Sequence, residues 1–210
     1  MKVHNFVNNQ LKLTRHGQHQ LNENFVSHET KHQYIMIPKN SSTWTKNKLR
    51  PAKFVKYNHI IPEYTKIIIL RDPLERYISG LSQWQPAQHQ LFEQDPRALE
   101  FILKYIITTD EHTELQSWFI KEIQDDNIVF FWHDENLQNN IDHYFKLLGI
   151  ELPYTHPKNV SDNSINKVNA KKIIRSYIEY NMDMLHTFRE WLEVDYELCR
   201  FVEFYKSINN

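Results

Sequence analysis

The sequence predicts an α/β protein, a parallel β-sheet flanked by helices with a mainly helical C-terminal part. Three observations carry that reading. Short apolar runs of strand length, Tyr34-Ile35-Met36-Ile37, Ile67 to Leu70 and Ile128 to Trp132, alternate with stretches of helical spacing, which is the order of successive βα units. The first two runs end in a turn that leads directly into a helix-compatible segment. From Val168 to Tyr205 the chain reads as mainly helical.

Taken in order, the polar first thirty residues are expected to be partly mobile. Pro38 closes the first strand, and Trp44 to Leu49 follows a polar turn with helix-compatible composition. After the second strand, Asp72-Pro73 supplies an N-cap and a first-turn proline, with Glu75 placed as the capping-box partner. Arg97 to Ile107 and Leu115 to Ile123 have helical spacing, and Leu137 to Leu148 reads as a helix ended by Gly149. A loop from Glu151 to Asn163 carries two prolines.

Composition bounds the function. A chain of 210 residues fits one domain, here residues 1–210. No repeat or linker divides it. The net charge of -1 gives no overall pull toward nucleic acid or a membrane surface, so any anion site must be local. Cys199, the only cysteine, forms no internal disulfide and is compatible with a reducing compartment. Met1 to Gln10 lacks a signal-peptide core and no apolar run is long enough to span a bilayer, so a soluble, cytoplasmic protein is expected. With only Gly17, Gly80 and Gly149, neither the dinucleotide fingerprint nor the Walker phosphate loop can be written.

Two segments carry the chemistry. Pro38-Lys39-Asn40-Ser41-Ser42-Thr43-Trp44 lies where a strand hands over to a helix N-terminus. Unpaired backbone N–H groups and the positive helix end favour an anion there. Lys39 adds a charge, and Ser41, Ser42 and Thr43 add hydroxyl donors. The second segment is Arg71-Asp72-Pro73-Leu74-Glu75-Arg76-Tyr77-Ile78-Ser79. Asp72, Pro73 and Glu75 are explained by helix-start chemistry, whereas Arg71 sits where open α/β sheets bind ligands and can grip a phosphate bidentately.

Together these segments resemble the sulfotransferases that use 3'-phosphoadenosine 5'-phosphosulfate. Pro38 to Trp44 is similar to their 5'-phosphosulfate loop, and Arg71-Asp72-Pro73 with Arg76 and Ser79 to their 3'-phosphate motif. The likeness is closest to the Golgi-type carbohydrate sulfotransferases, through Asp110 to Gln116, Ile128 to Ile150, the His156, Asn159 and Ser161 loop, and Asp195 to Leu198. It implies a P-loop-like sheet and a hydroxyl acceptor of the carbohydrate class. It also implies that Lys39, Asn40, Ser41, Ser42, Thr43 and Trp44 hold the phosphosulfate, while Arg71, Ser79, Asn159 and Ser161 hold the rest of the nucleotide. Ser41 departs from the glycine or alanine that many relatives carry. No metal is required, because lysine, arginine and helix N-termini meet the donor's charges.

An acceptor hydroxyl needs a base, and histidine suits neutral pH. His59, before the second strand, lies where several relatives place a catalytic His or Glu; His112, flanked by Asp110, Glu111 and Glu114, is the other candidate. Lys46, Lys48, Arg50, Lys53 and Lys56 form a basic run that would attract an anionic acceptor or simply be a solvated face. Trp84, Trp118 and Trp132 offer rings for a sugar or for the core. Three alternatives remain: His28-Glu29-Thr30-Lys31-His32 fits the zinc-hydrolase pattern, a kinase-like phosphotransferase would share the fold class, and a non-catalytic nucleotide- or glycan-binding module would keep Arg71. Acceptor identity and oligomeric state are open at this level.

Overall fold

Thr65–Leu70 is buried along its last five residues, so both of its faces must be covered. The computed structural model describes residues 23–84, 111–124, 127–155 and 165–209, and in it this run is the fourth strand of a mixed sheet. The elements are β1 (Asn24–Ser27), β2 (His32–Ile35), α1 (Ser42–Leu49), a 3-10 turn at Arg50–Ala52, β3 (Val55–Tyr57) and β4 (Thr65–Leu70). Then come α2 (Pro73–Trp84), α3 (Gln116–Ile120), β5 (Ile128–Trp132), α4 (Leu137–Leu147), α5 (Ile165–Tyr180) and α6 (Met182–Asn209).

The five strands are ordered β3-β1-β2-β4-β5. β4 pairs in parallel with β2, Ile67 opposite Tyr34, and with β5, Leu70 opposite Trp132. The α/β class with its helical C-terminal part is therefore observed, but the sheet is not wholly parallel. β1 runs antiparallel to both β2 and β3. Both additional strands escaped the sequence reading because they are only four and three residues long and partly polar. Within the N-terminal thirty residues, Asn24 to Ser27 form β1 and are all buried.

Period-two alternation along β4 divides the core. Ile67 and Ile69 join Tyr34, Trp44, Leu49 and Phe145 on the face covered by α1 and α4. Ile68 and Leu70 join Tyr77, Ile78, Phe119, Ile174 and Phe188 on the face covered by α2, α3, α5 and α6. With helices on both faces among the described residues, the ends of the parallel strands are where such a sheet offers a ligand site.

Helix ends follow the sequence with one change. Asp72 Oδ1 accepts the Glu75 N–H at 2.8 Å, the bond of an N-cap. The Glu75 carboxylate does not complete a capping box; it pairs with Arg175 on α5. At the end of α4, Gly149 has φ 76°, its N–H donates to Lys146 O at 3.0 Å, and Ile150 N–H donates to Phe145 O at 2.9 Å. This left-handed closure is where glycine is favoured. α3 is shorter than its predicted span, and Arg97 to Ile107 lies outside the described residues. Among the described residues no helix is long and apolar enough to cross a membrane.

One close approach couples the fold to the site. A Cβ on Gly80, in α2, would stand 2.2 Å from His112 O and 2.8 Å from its carbonyl carbon. Gly80→Ala must therefore push α2 and the 111–114 segment apart, costing about 1–3 kcal/mol. The expected outcome is a Tm lowered by about 2–4 °C per kcal/mol in thermal unfolding.

Candidate functional site

β2 and β4 are parallel neighbours, so the segments leaving them emerge at the same sheet edge. After β2 the backbone turns through two left-handed residues, Lys39 at φ 71° and Ser41 at φ 57°, before α1 begins. Alternating conformations of this kind point successive N–H groups into one concavity, an anion-binding arrangement. The Ser41 side chain makes no capping bond and the first turn holds no acidic residue. The first helix-type bond is Thr45 N–H to Ser41 O at 2.9 Å, which leaves the N–H groups of Ser42, Thr43 and Trp44 as first-turn donors. Ser41, where the resembling family often has glycine, is thus a left-handed position that costs a side-chain-bearing residue about 1–2 kcal/mol.

Asn40 holds this geometry from beneath. Its side chain is fully buried, and Nδ2 donates to Ile69 O at 2.7 Å and to Gln116 Oε1 at 2.6 Å. Its N–H turns back to Ile37 O at 3.2 Å. The Asn40 side chain therefore shapes the loop from the protein side. A buried amide in such a turn needs partners or its desolvation is uncompensated.

The second segment is fastened to the first. Arg71, half-buried, donates Nη1 to Lys39 O at 3.0 Å. Its backbone is gripped on both sides by one side chain: Arg71 N–H donates to Gln116 Oε1 at 2.9 Å, and Gln116 Nε2 donates to Arg71 O at 2.8 Å. Arg76, only 2% exposed, donates Nε to Pro38 O at 2.9 Å, Nη2 to Glu111 O at 3.3 Å and Nη1 to Glu114 O. Its guanidinium also lies over Phe119, 5.6 Å from the ring centroid. Arg76 is thus an internal brace, while Arg71 stands at the edge.

Asp195 completes the network from α6. Its carboxylate accepts Gln116 N–H at 2.7 Å and Ser117 N–H at 2.9 Å. Burial pushes the Asp195 carboxyl above its usual range, while those two donors and the Arg76 charge pull it back. Gln116 and Asp195 were missed as site residues by sequence reasoning. Their signal was only the loosely matched segments around them, since nothing local in Gln116-Ser117 or Asp195-Tyr196 announces a partner 79 residues away.

The other candidates divide. Ser79 lies on α2, 3% exposed, next to the Gly80 that touches His112 O. His112 is half-buried, with Nε2 3.9 Å from Glu111 Oε1, on the segment that Arg76 holds. His59 is not brought to these loops. Its carbonyl accepts from Gln33 Nε2 at 2.5 Å and its ring packs edge-on against Tyr57. Gln33 is paired with Lys66, five residues before Arg71 and so about 16 Å back along the strand. A histidine that sequence reasoning passed over, His133, follows β5 at the loop edge, its N–H donating to Leu70 O at 2.7 Å. Trp44 is buried and donates its indole Nε1 to Thr155 O at 3.2 Å. Trp118 and Trp132 pack against the core. His156, Asn159, Ser161 and the side chain of Trp84 lie outside the described residues.

Two alternatives lose their geometry. The histidines of the zinc-hydrolase pattern share no helix face: His28 is in the β1–β2 turn with Nδ1 2.8 Å from Tyr64 Oη, whereas His32 begins β2 with Nε2 2.8 Å from Tyr144 Oη. The basic run is not a free positive face either. Lys53 pairs with Glu29 at 2.6 Å, Lys56 and Lys46 meet Glu23 at 2.5 and 3.9 Å, and Lys48 is buried against Asp142 at 2.6 Å.

The family is decided by a family model described as the sulfotransferase family, which matches residues 3–198. The chain belongs to the sulfotransferase family. No curated protein and no solved structure matches it. The family is one of sulfuryl-group transferases, and the joint attachment of the loops after β2 and β4 to Gln116 sets the spacing between them.

The two arginines of the second segment should behave oppositely in unfolding experiments. Arg76→Met strands buried carbonyls and is expected to cost about 3 kcal/mol or more. Arg71→Ala acts on a half-exposed group, whose bond to Lys39 O is lost, and should cost less than Arg76→Met, about 1 kcal/mol.

Proposed function

We propose that this sulfotransferase moves the sulfuryl group of 3'-phosphoadenosine 5'-phosphosulfate to a hydroxyl acceptor of the carbohydrate class. The observation that carries the donor is the pinning of an uncapped helix N-terminus with Lys39 beside Arg71, at one sheet edge, by a single buried glutamine. Two anionic groups of one molecule, held a fixed distance apart, fit two such loops. The carbohydrate acceptor rests on the resemblance alone.

In this scheme Lys39, the hydroxyls of Ser41, Ser42 and Thr43, and the Trp44 N–H meet the 5'-phosphosulfate. Arg71 and Ser79 meet the 3'-phosphate. The acceptor oxygen forms a bond to sulfur as the bond from sulfur to the bridging phosphate oxygen breaks, and the acceptor proton passes to a histidine. Sulfuryl transfer shares with phosphoryl transfer a loose in-line transition state, so positioning and charge neutralisation dominate. Lys39 stabilises the charge that grows on the leaving phosphate. Lysine, arginine and helix N–H groups supply the positive charge, so the scheme uses no metal. His112 is favoured as base over His59 by its placement on the segment braced against α2.

Calorimetric titration with the desulfated product, 3'-phosphoadenosine 5'-phosphate, in metal-free buffer tests the donor. Micromolar binding is expected, lost in Arg71→Ala and at least tenfold weaker in Lys39→Ala. Absence of binding by the folded wild type would remove this donor. For the base, His112→Ala should lower kcat about 10²–10⁴-fold with product-nucleotide affinity kept, measured as sulfate transfer from radiolabelled donor to a panel of oligosaccharides. The same loss in His59→Ala, with His112→Ala active, would move the base to the β3–β4 loop.

A further inference from the structure

α1 bears the N–H donors of the anion loop, yet its other end is anchored by an arrangement that a helix of eight residues does not need for burial. Lys48, in the last turn, is 0% exposed. Its Nζ lies 2.6 Å from Asp142 Oδ1 on α4 and donates to Pro153 O at 2.8 Å. One turn earlier, Trp44 donates its indole N–H to Thr155 O. The segment 153–155 is therefore strapped along α1, running from its C-terminal turn toward the anion loop, and is held by one bond at each end.

A buried lysine is an expensive way to fill space. Lys48 is buried while the Asp142 side chain is 36% exposed, and replacing an ion pair withdrawn from water by apolar residues of similar size is often neutral or stabilising, so such a pair is weak support for a stability role. What the pair adds is direction. Its three groups, one ammonium, one carboxylate and one carbonyl, meet in a narrow range of placements of α1 relative to α4 and the strap, whereas the apolar packing of Leu49 on the same helix carries no such direction. A helix that must present its first-turn N–H groups at a fixed point suits such a constraint, because a misplacement of about 1 Å can cost roughly 10²-fold in rate.

We infer that Lys48, with Asp142, is a positioning residue for the donor: it fixes the orientation of α1, and hence of the anion cradle, without touching the nucleotide. The inference rests on the donor reading above. The test compares wild type, Lys48→Met and the paired replacement Lys48→Met/Asp142→Leu, each by calorimetry with 3'-phosphoadenosine 5'-phosphate and by thermal unfolding. The single variant leaves Asp142 without its buried partner and should lose stability. The double variant should regain most of the wild-type Tm while its Kd for the nucleotide stays about tenfold higher. Lys48→Arg, which keeps the charge, should restore part of the affinity. A double variant that recovers both Tm and Kd shows a purely structural pair and overturns the inference. Wild-type protein that binds no nucleotide overturns the donor reading itself, and the inference with it.

Discussion

Everything at the loop edge depends on one buried amide, Gln116. Its oxygen accepts from Asn40 and from the Arg71 backbone, its nitrogen donates back to Arg71, and its own N–H is held by Asp195. Each of these groups would carry a desolvation cost if left alone, and each is matched by another member of the set. The loop after β2, the turn after β4 and α6 are consequently not independent surfaces. They move together or the network opens.

Arg76 makes a second, parallel fastening, reaching from α2 to Pro38 and to the carbonyls of Glu111 and Glu114. The result is a division of labour between the two arginines of one short motif. Arg76 faces inward on α2, satisfies backbone acceptors and interacts electrostatically with the Asp195 carboxylate. Arg71, on the last step out of β4, keeps a half-exposed guanidinium near the Lys39 carbonyl. The same logic separates Asn40 from its neighbours: the buried amide secures the turn, leaving Lys39 and the Ser41-Ser42-Thr43 hydroxyls as the groups set about a concave run of N–H donors.

Much of the architecture was legible because it is local. The Ile67–Leu70 run, the Asp72 cap and the Gly149 closure depend on residues within a few positions of one another, and all three occur as read. The helix through Val168 to Tyr205 is resolved as α5 and α6, broken only at Asn181. Where partners are remote, the reading failed. Glu75 was assigned to its own helix cap and instead meets Arg175, one hundred residues away. Of the basic run, Lys46, Lys53 and Lys56 stay on the surface beside Glu23 and Glu29, as a solvated face would, but Lys48 is buried against Asp142. The zinc-hydrolase pattern required a helix, but the chain there forms a hairpin turn with Lys31 in the left-handed region.

The sequence by itself determined the α/β class, the strand-loop-helix position of both anion segments, and the residue types, Lys39 and Arg71 above all, that suit phosphate and sulfate. Those properties reside in hydrophobic periodicity, turn chemistry and fixed charge, which a chain carries whether or not it is folded. Tertiary structure alone decided which polar residues face inward, that Arg76 and Asn40 brace the site from beneath, that His112 accompanies the loops while His59 does not, and that Lys48 is buried beneath a strap. Inward or outward is settled by which desolvated donors find acceptors, and those acceptors come from strands, helices and loops remote in the chain, as Pro153 does for Lys48 from 105 residues away.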